Sequence, residues 1–298
     1  MSAVPAQQKP VVSLTTDDGH RSELSQAWRR FKANRLAVIA GVFIILLCIL
    51  AIFADGLAPY DPTESEPGKR GEAPSLAHPL GYDHISRDLL SRVIIGTRVA
   101  LIVGIVASAI AVFIGVIIGA TAGFFGGWID IILSRITDTL MAFPIIALLV
   151  VLAAVLGPSL TTVIIVIGAT TWARYARVVR ADVLSLRERD FITAARASGV
   201  TNERIIWRHI LPNILGPVIV LASLGIGNII ILESALSFLG LGIQPPNPSW
   251  GGILSDGRAF ITRYPHISIA PGVMITITVL AFNFFGDGLR DALDPHEV

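Results

Sequence analysis

The chain has 298 residues, 53% hydrophobic and 15% charged, with a formal net charge of +1 and a mean hydropathy of +0.70. An average soluble protein carries about 25% charged residues, so this composition argues against a soluble globular enzyme, and the near-neutral balance supplies no basic field for nucleic acid. The single cysteine, Cys48, leaves no internal disulfide framework or multi-thiolate metal site; it lies in an apolar run and reads as a small buried hydrophobe.

Residues 1–21 are polar, contain two prolines and show no apolar period, which reads as a disordered tail. Residues 24–35 mix Trp28 and Phe31 with Arg29, Arg30, Lys32 and Arg35. That pattern suits a helix lying on the inner membrane surface, and equally a plain basic flank of the first span. The first uncharged run long enough to cross a bilayer covers 36–54. It is too long for a signal-peptide core and has no small-residue cleavage site behind it, so it is read as a permanent anchor.

A long external segment, 55–98, opens with Pro59, Pro62 and Pro67. It ends on 86–94, where Leu89, Leu90, Val93 and Ile94 recur at helical spacing and predict a separate interfacial helix. The second span lies within 99–125, and its Gly115 and Gly119 are spaced for a close helix contact, within this chain or with a partner. The uncharged run 139–173 exceeds one span and is cut by Gly157, Pro158 and Ser159, which predicts a helical hairpin of spans three and four. Pro144 is expected to kink span three and Pro271 span six. Arg135 and Asp138, three residues apart, are expected to pair on one helix face. Span five follows Pro212 over 214–232, with an extension to 239 left open, and span six covers 267–286.

Lys and Arg in the connections set the orientation. With the N-terminus inside, the inner segments hold six basic residues before span one, Arg135, eight between Arg174 and Arg208, and Arg290, sixteen of the 23. Both termini are then expected in the cytoplasm. In the inner segment 174–213, residues 189–198 read as a short helix, Gly199 as its left-handed stop and Thr201 as the cap of a second helix, which Pro212 interrupts.

The stretch Thr193, Ala194, Ala195, Arg196, Ala197, Ser198, Gly199, followed by Leu211 and Pro212, resembles the EAA loop of ABC importer permeases. That family's pattern is Glu-Ala-Ala, three residues, Gly, nine residues, Ile, one residue, Leu-Pro; Thr193 and His209 depart from it. Further segments, Arg87 to Arg92, Leu236 to Gly242, Pro245-Pro246, Ser249-Trp250-Gly251 and the ending Gly286 to Pro295, are similar to the C-type permease subunit of dipeptide, oligopeptide and nickel importers.

The resemblance implies an all-α membrane protein with six transmembrane helices and the type I ABC importer permease fold. The implied division is an N-terminal permease region at 22–73, a transmembrane domain at 97–286 holding the loop 189–213, and a cytoplasmic tail at 287–298. It implies a coupling helix between spans four and five, centred on 194–201. The implied partners are the bilayer, a second permease, two ATP-binding cassette subunits that bind ATP and Mg, and an external binding protein. The implied setting is a bacterial or archaeal inner or plasma membrane. This chain lacks a Gly-x-x-x-x-Gly-Lys-Ser/Thr phosphate loop, so no catalytic residue, cofactor or metal is assigned to it. Peptides are the expected solute, with nickel or glutathione as alternatives.

Polar groups inside spans mark solute paths, and the candidates are Asn228, Glu233 and Asn283. Glu233 is read first as an exposed carboxylate beyond the outer end of span five. No cluster resembles a high-affinity pocket. The competing class, a secondary carrier, would show internal repeats and central charges; the two halves show no repeat, and central charges are few. An intramembrane enzyme would need a zinc motif or a nucleophile elbow, which are also missing from the sequence.

Overall fold

The computed structural model describes residues 23–293, and every regular element among them is helical. Helix α1 (Glu23–Ala33) is separated from α2 (Arg35–Ile52) by Asn34, whose side chain accepts from the Ala37 N–H at 3.2 Å and caps the second helix. A single turn, α3 (Ala54–Leu57), leads into an irregular segment over 58–88. The tail at 1–21 lies outside the described residues.

Helix α4 (Leu89–Phe125) runs unbroken for 37 residues, about 55 Å at 1.5 Å per residue. The separate interfacial helix expected over 86–94 is therefore the start of α4. Asp88 caps it by accepting from the Ser91 N–H at 2.8 Å, and Gly96, the first breaker that follows, costs only about 1 kcal/mol in a helix.

Span three is a broken element. Helices α5 (Gly127–Ala142) and α6 (Ile145–Leu156) meet at 89°. Pro144 breaks the helix instead of kinking it, because the residue before a proline is driven out of the helical region, and Phe143 is extended (φ −80°, ψ 139°). The hairpin follows as the sequence predicts: Gly157 takes φ +84° and the Ser159 hydroxyl caps α7 (Leu160–Arg187) by accepting from the Thr162 N–H at 3.0 Å. Span four does not end at residue 173. Tyr175, Ala176, Val179 and Val183 continue one buried face to the end of α7.

After α8 (Asp190–Ala197) and the turn α9 (Asn202–Ile205), the chain passes through a π-helical turn, Ile206–Ile210, into α10 (Leu211–Phe238). The expected interruption at Pro212 is replaced by this widened turn. The Leu211 N–H reaches the Ile206 carbonyl, five residues back. The proline ring would otherwise strike the carbonyl four residues before it. Helices α11 (Trp250–Arg258) and α12 (His266–Leu293) complete the chain.

Helices α2, α4, α7, α10 and α12 are long and apolar enough to cross a membrane, and the bent pair α5–α6 makes a sixth crossing if taken as one. The centre is the α4–α7 contact. A Cβ on Gly115 would lie 2.5 Å from the Tyr175 Cβ, and one on Gly119 would lie 2.5 Å from the Ala176 carbonyl oxygen. The glycine pair thus serves a contact inside this chain, and α7 could not approach α4 so closely past larger side chains. Two ends result: one carries 58–88 and α11, the other carries α1, α8 and the joined ends of α4 and α7. The first is tied down by the Trp250 indole N–H donating to the Val93 carbonyl at 3.0 Å, the second by Arg187 Nη1 donating to the Gly123 and Phe124 carbonyls at 3.3 and 3.4 Å.

Candidate functional site

The loop singled out in the sequence forms one compact unit at the second end. Ile192 is its anchor, fully buried against Val183, Ile205, Ile210 and Ile214. Around that single apolar point Thr193, Ala194, Arg196, Ala197 and Ser198 of the α8 end are exposed, as are Gly199 and Thr201, while Ala195 is half-buried. Gly199 takes φ +75°, and its N–H and that of Val200 reach the carbonyls of Arg196 and Ala195 at 3.0 and 3.1 Å. This closes α8 in the left-handed manner that glycine allows.

Thr201 occupies the cap position of α9, but its side chain makes no capping bond; only its carbonyl serves, accepting from the Ile205 N–H at 3.0 Å. The Thr193 hydroxyl donates to the Arg189 carbonyl at 3.4 Å, so the residue standing in the usual glutamate position is engaged locally. Leu211 is half-buried and Pro212 exposed, both at the head of α10. Sequence reasoning missed two supports of the unit. Arg196 lies with its guanidinium 5.2 Å from the Phe124 ring centre, and Arg187 holds the last carbonyls of α4. Phe191 and Trp207 are also exposed there, 44% and 74%; nothing in a single sequence separates them from core aromatics.

The three path candidates do not converge. Asn228 lines a cavity of about 450 Å³ between the α5–α6 break, α7 and α10. Glu233 does not lie on the surface: it is fully buried, accepting from the Ser237 hydroxyl at 2.7 Å and the Ser234 hydroxyl at 3.3 Å. Span five continues past it to Phe238, and the chain folds back over it through Trp250 of α11 and its cap Ser249, both buried. Asn283 is half-buried on α12, facing Gly227 of α10.

The cavity holds a cation that the charge pattern of the sequence assigns to the cytoplasmic side. Arg174 lines it beside Thr170, Thr171 and Tyr175, about 21 Å along α7 from its first residue. The next two arginines of α7 are engaged: Arg177 Nη2 donates to Asp138 at 2.7 Å and Arg180 Nη2 to Asp130 at 2.8 Å. Asp138 therefore pairs across to α7 and not with Arg135.

The opposite end holds a buried polar network in the irregular segment. Asp83 accepts from the Ile85 and Arg87 N–H groups at 2.8 and 2.9 Å, from Arg87 Nε at 2.7 Å, and from Arg92 Nη1. Both arginines also reach Asp256 of α11, at 3.5 and 3.4 Å. Burial pushes the Asp256 carboxyl above its ordinary range, against the pull of His84 and Arg87. Next to it, Tyr60 stacks on the His78 ring, which Tyr82 meets at a tilt of 37°. Burial, followed by the Glu66 carboxylate, pushes the Tyr82 hydroxyl up to about 12. That hydroxyl stays protonated and lies 2.6 Å from His78 Nε2, while His78 Nδ1 lies 2.8 Å from the Asp88 carboxylate. Among the described residues no group of three or more His, Cys, Asp or Glu is placed to hold a metal ion.

Comparison with known proteins places this geometry. The family model described as binding-protein-dependent transport system inner membrane component matches residues 115–297. That described as the N-terminal TM domain of oligopeptide transport permease C matches residues 22–79. The chain is 45% identical to the dipeptide transport system permease protein DppC of Alkalihalophilus pseudofirmus, over 91% of this chain and 89% of that one. It is 42% identical to the glutathione transport system permease protein GsiD of Escherichia coli, over 95% and 93%. In structure it is similar to a chain of the MetNI methionine ABC transporter in an inward-facing conformation, with a TM-score of 0.55 at 21% identity, covering 68% of this chain and 96% of that one. At that identity the likeness concerns the fold alone.

Proposed function

The chain belongs to the family of binding-protein-dependent transport system inner membrane components, the ABC importer permeases, and from that premise we propose that it is the permease subunit of an ATP-driven importer of di- or oligopeptides. It forms the path with a second permease, receives solute from an external binding protein, and couples to two ATPase subunits that bind ATP and Mg. The end carrying α1 and α8 faces the cytoplasm, with both termini. The chain has no catalytic role of its own. Glutathione, itself a peptide, is the second reading, favoured by the likeness to GsiD.

The observation that carries the coupling role is the exposed α8 unit, anchored by the buried Ile192 and braced by Arg196 on Phe124. A helix so held moves as a rigid piece with α7 and α10, and its small exposed residues, Ala194, Ala197, Ser198 and Gly199, leave room for a groove of an ATPase to close on it. Bulk placed there tests the role. Gly199→Trp and Ala197→Trp, the second free of any backbone strain, should abolish co-purification of the ATPase subunits and ATP-dependent uptake while leaving the permease folded. Intact co-purification and uptake in both would remove α8 from the coupling role.

A further inference from the structure

We infer that the cavity between the α5–α6 break, α7 and α10 is an intramembrane subsite for the carboxylate of the solute, with the Arg174 guanidinium as its cation. The inference rests on the peptide-importer reading above. A charged side chain within a spanning helix is costly, and such residues ordinarily pair or face a wetted cavity with a functional partner. Arg177 and Arg180 follow that rule through Asp138 and Asp130 of α5. Arg174 makes no salt bridge and no side-chain hydrogen bond among the described residues, and it faces a cavity of about 450 Å³.

The wall around it is of two kinds. Leu140, Phe143 and Leu221 are apolar, whereas Thr170, Thr171 and Asn228 bring hydroxyl and amide groups to the same space. The two hydroxyls donate to carbonyls one turn back in α7, Thr170 to Val166 and Thr171 to Ile167, both at 2.7 Å; their protons are thus engaged, and each oxygen keeps lone pairs with which to accept. Asn228 holds the Leu224 carbonyl only at 3.4 Å. A peptide in transit brings a carboxylate that Arg can grip with two parallel N–H groups, an ammonium or amide that the hydroxyl and amide oxygens can accept from, and side chains that suit the apolar wall. The 89° break between α5 and α6 borders this space through Phe143 and Ile145. A bare divalent metal would find the wrong charge.

The test uses the whole importer, with its second permease, ATPases and binding protein, in proteoliposomes. Uptake of radiolabelled dialanine is measured at saturating binding protein for the native chain, Arg174→Gln and Arg174→Lys, alongside ATP hydrolysis stimulated by the loaded binding protein. Loss of a charge-assisted contact should slow uptake about tenfold or more in Arg174→Gln, while stimulated hydrolysis stays within about twofold and Arg174→Lys recovers much of the uptake. Unchanged uptake in Arg174→Gln would overturn the inference. So would equal loss of uptake and hydrolysis in both variants, which would make Arg174 an assembly contact with the second permease. Failure of the native complex to take up dialanine at all would instead strike the peptide reading itself.

Discussion

Gly119 of α4 lies so close to the Ala176 carbonyl of α7 that a Cβ at 119 would stand 2.5 Å from that oxygen and 2.9 Å from the Val179 Cβ. The contact joins the longest helix to the helix that leads into α8, so it transmits any displacement of one to the other. Gly119→Val should force the pair apart and cost about 1–3 kcal/mol or more, the usual range for overpacking. A thermal scan of the purified protein in detergent checks it, and an unchanged midpoint would contradict the packing described.

The Asp83 carboxylate is fully buried between Arg87 and Arg92. Removing one partner from a buried ionic network leaves charge without compensation, at a cost on the order of 3 kcal/mol. Asp83→Asn should therefore lower the thermal midpoint far more than Asp55→Asn, whose salt bridge to Arg98 is largely exposed. Equal effects would contradict the network.

Tyr82 gives a pH dependence with a definite sign. Its hydroxyl holds its proton to about 12 in the folded protein, against an ordinary value of 10.0. The folded state then binds more protons than the unfolded state between those values. The Tyr82 contribution is present below pH 10 and is lost as pH rises towards 12. Stability measured from pH 9 upward should fall more steeply for the native chain than for Tyr82→Phe; parallel curves would contradict it.

Sidedness can be read with the sole cysteine removed. In a Cys48→Ala background, Ser198→Cys places a thiol on the exposed end of α8. A membrane-impermeant maleimide should label it in inside-out vesicles and not in intact cells. Labelling in intact cells alone would reverse the proposed orientation.

What a single sequence carries here depends on the range of the forces involved. The crossings were legible because an uncharged run of about 20 residues has few alternatives to a bilayer span, and the hairpin because Gly157 and Ser159 act locally. The loop was legible as a spacing of Ala, Gly and Leu-Pro. Features set by packing between distant segments were not. Nothing near Ile94 signals that α4 is continuous, since the contact that holds it there comes from Trp250. Nor does the sequence near Pro212 announce a π turn that absorbs it. Glu233 looked like an outer-surface carboxylate because its cover, α11, is supplied by residues after it. Arg174 reads as one more cytoplasmic cation because the uncharged run ends at 173 and an arginine-rich segment begins there. Only the position of α5 separates the paired arginines from the unpaired one.

The central claim is that this chain moves peptide only as part of an ATP-driven assembly. It is tested most directly by proteoliposomes holding the complete complex, in which dialanine uptake is measured with ATP and binding protein each present or withheld. The account predicts accumulation only when both are supplied. Accumulation without ATP or without the binding protein, driven by an ion gradient, would contradict it and point to a secondary carrier.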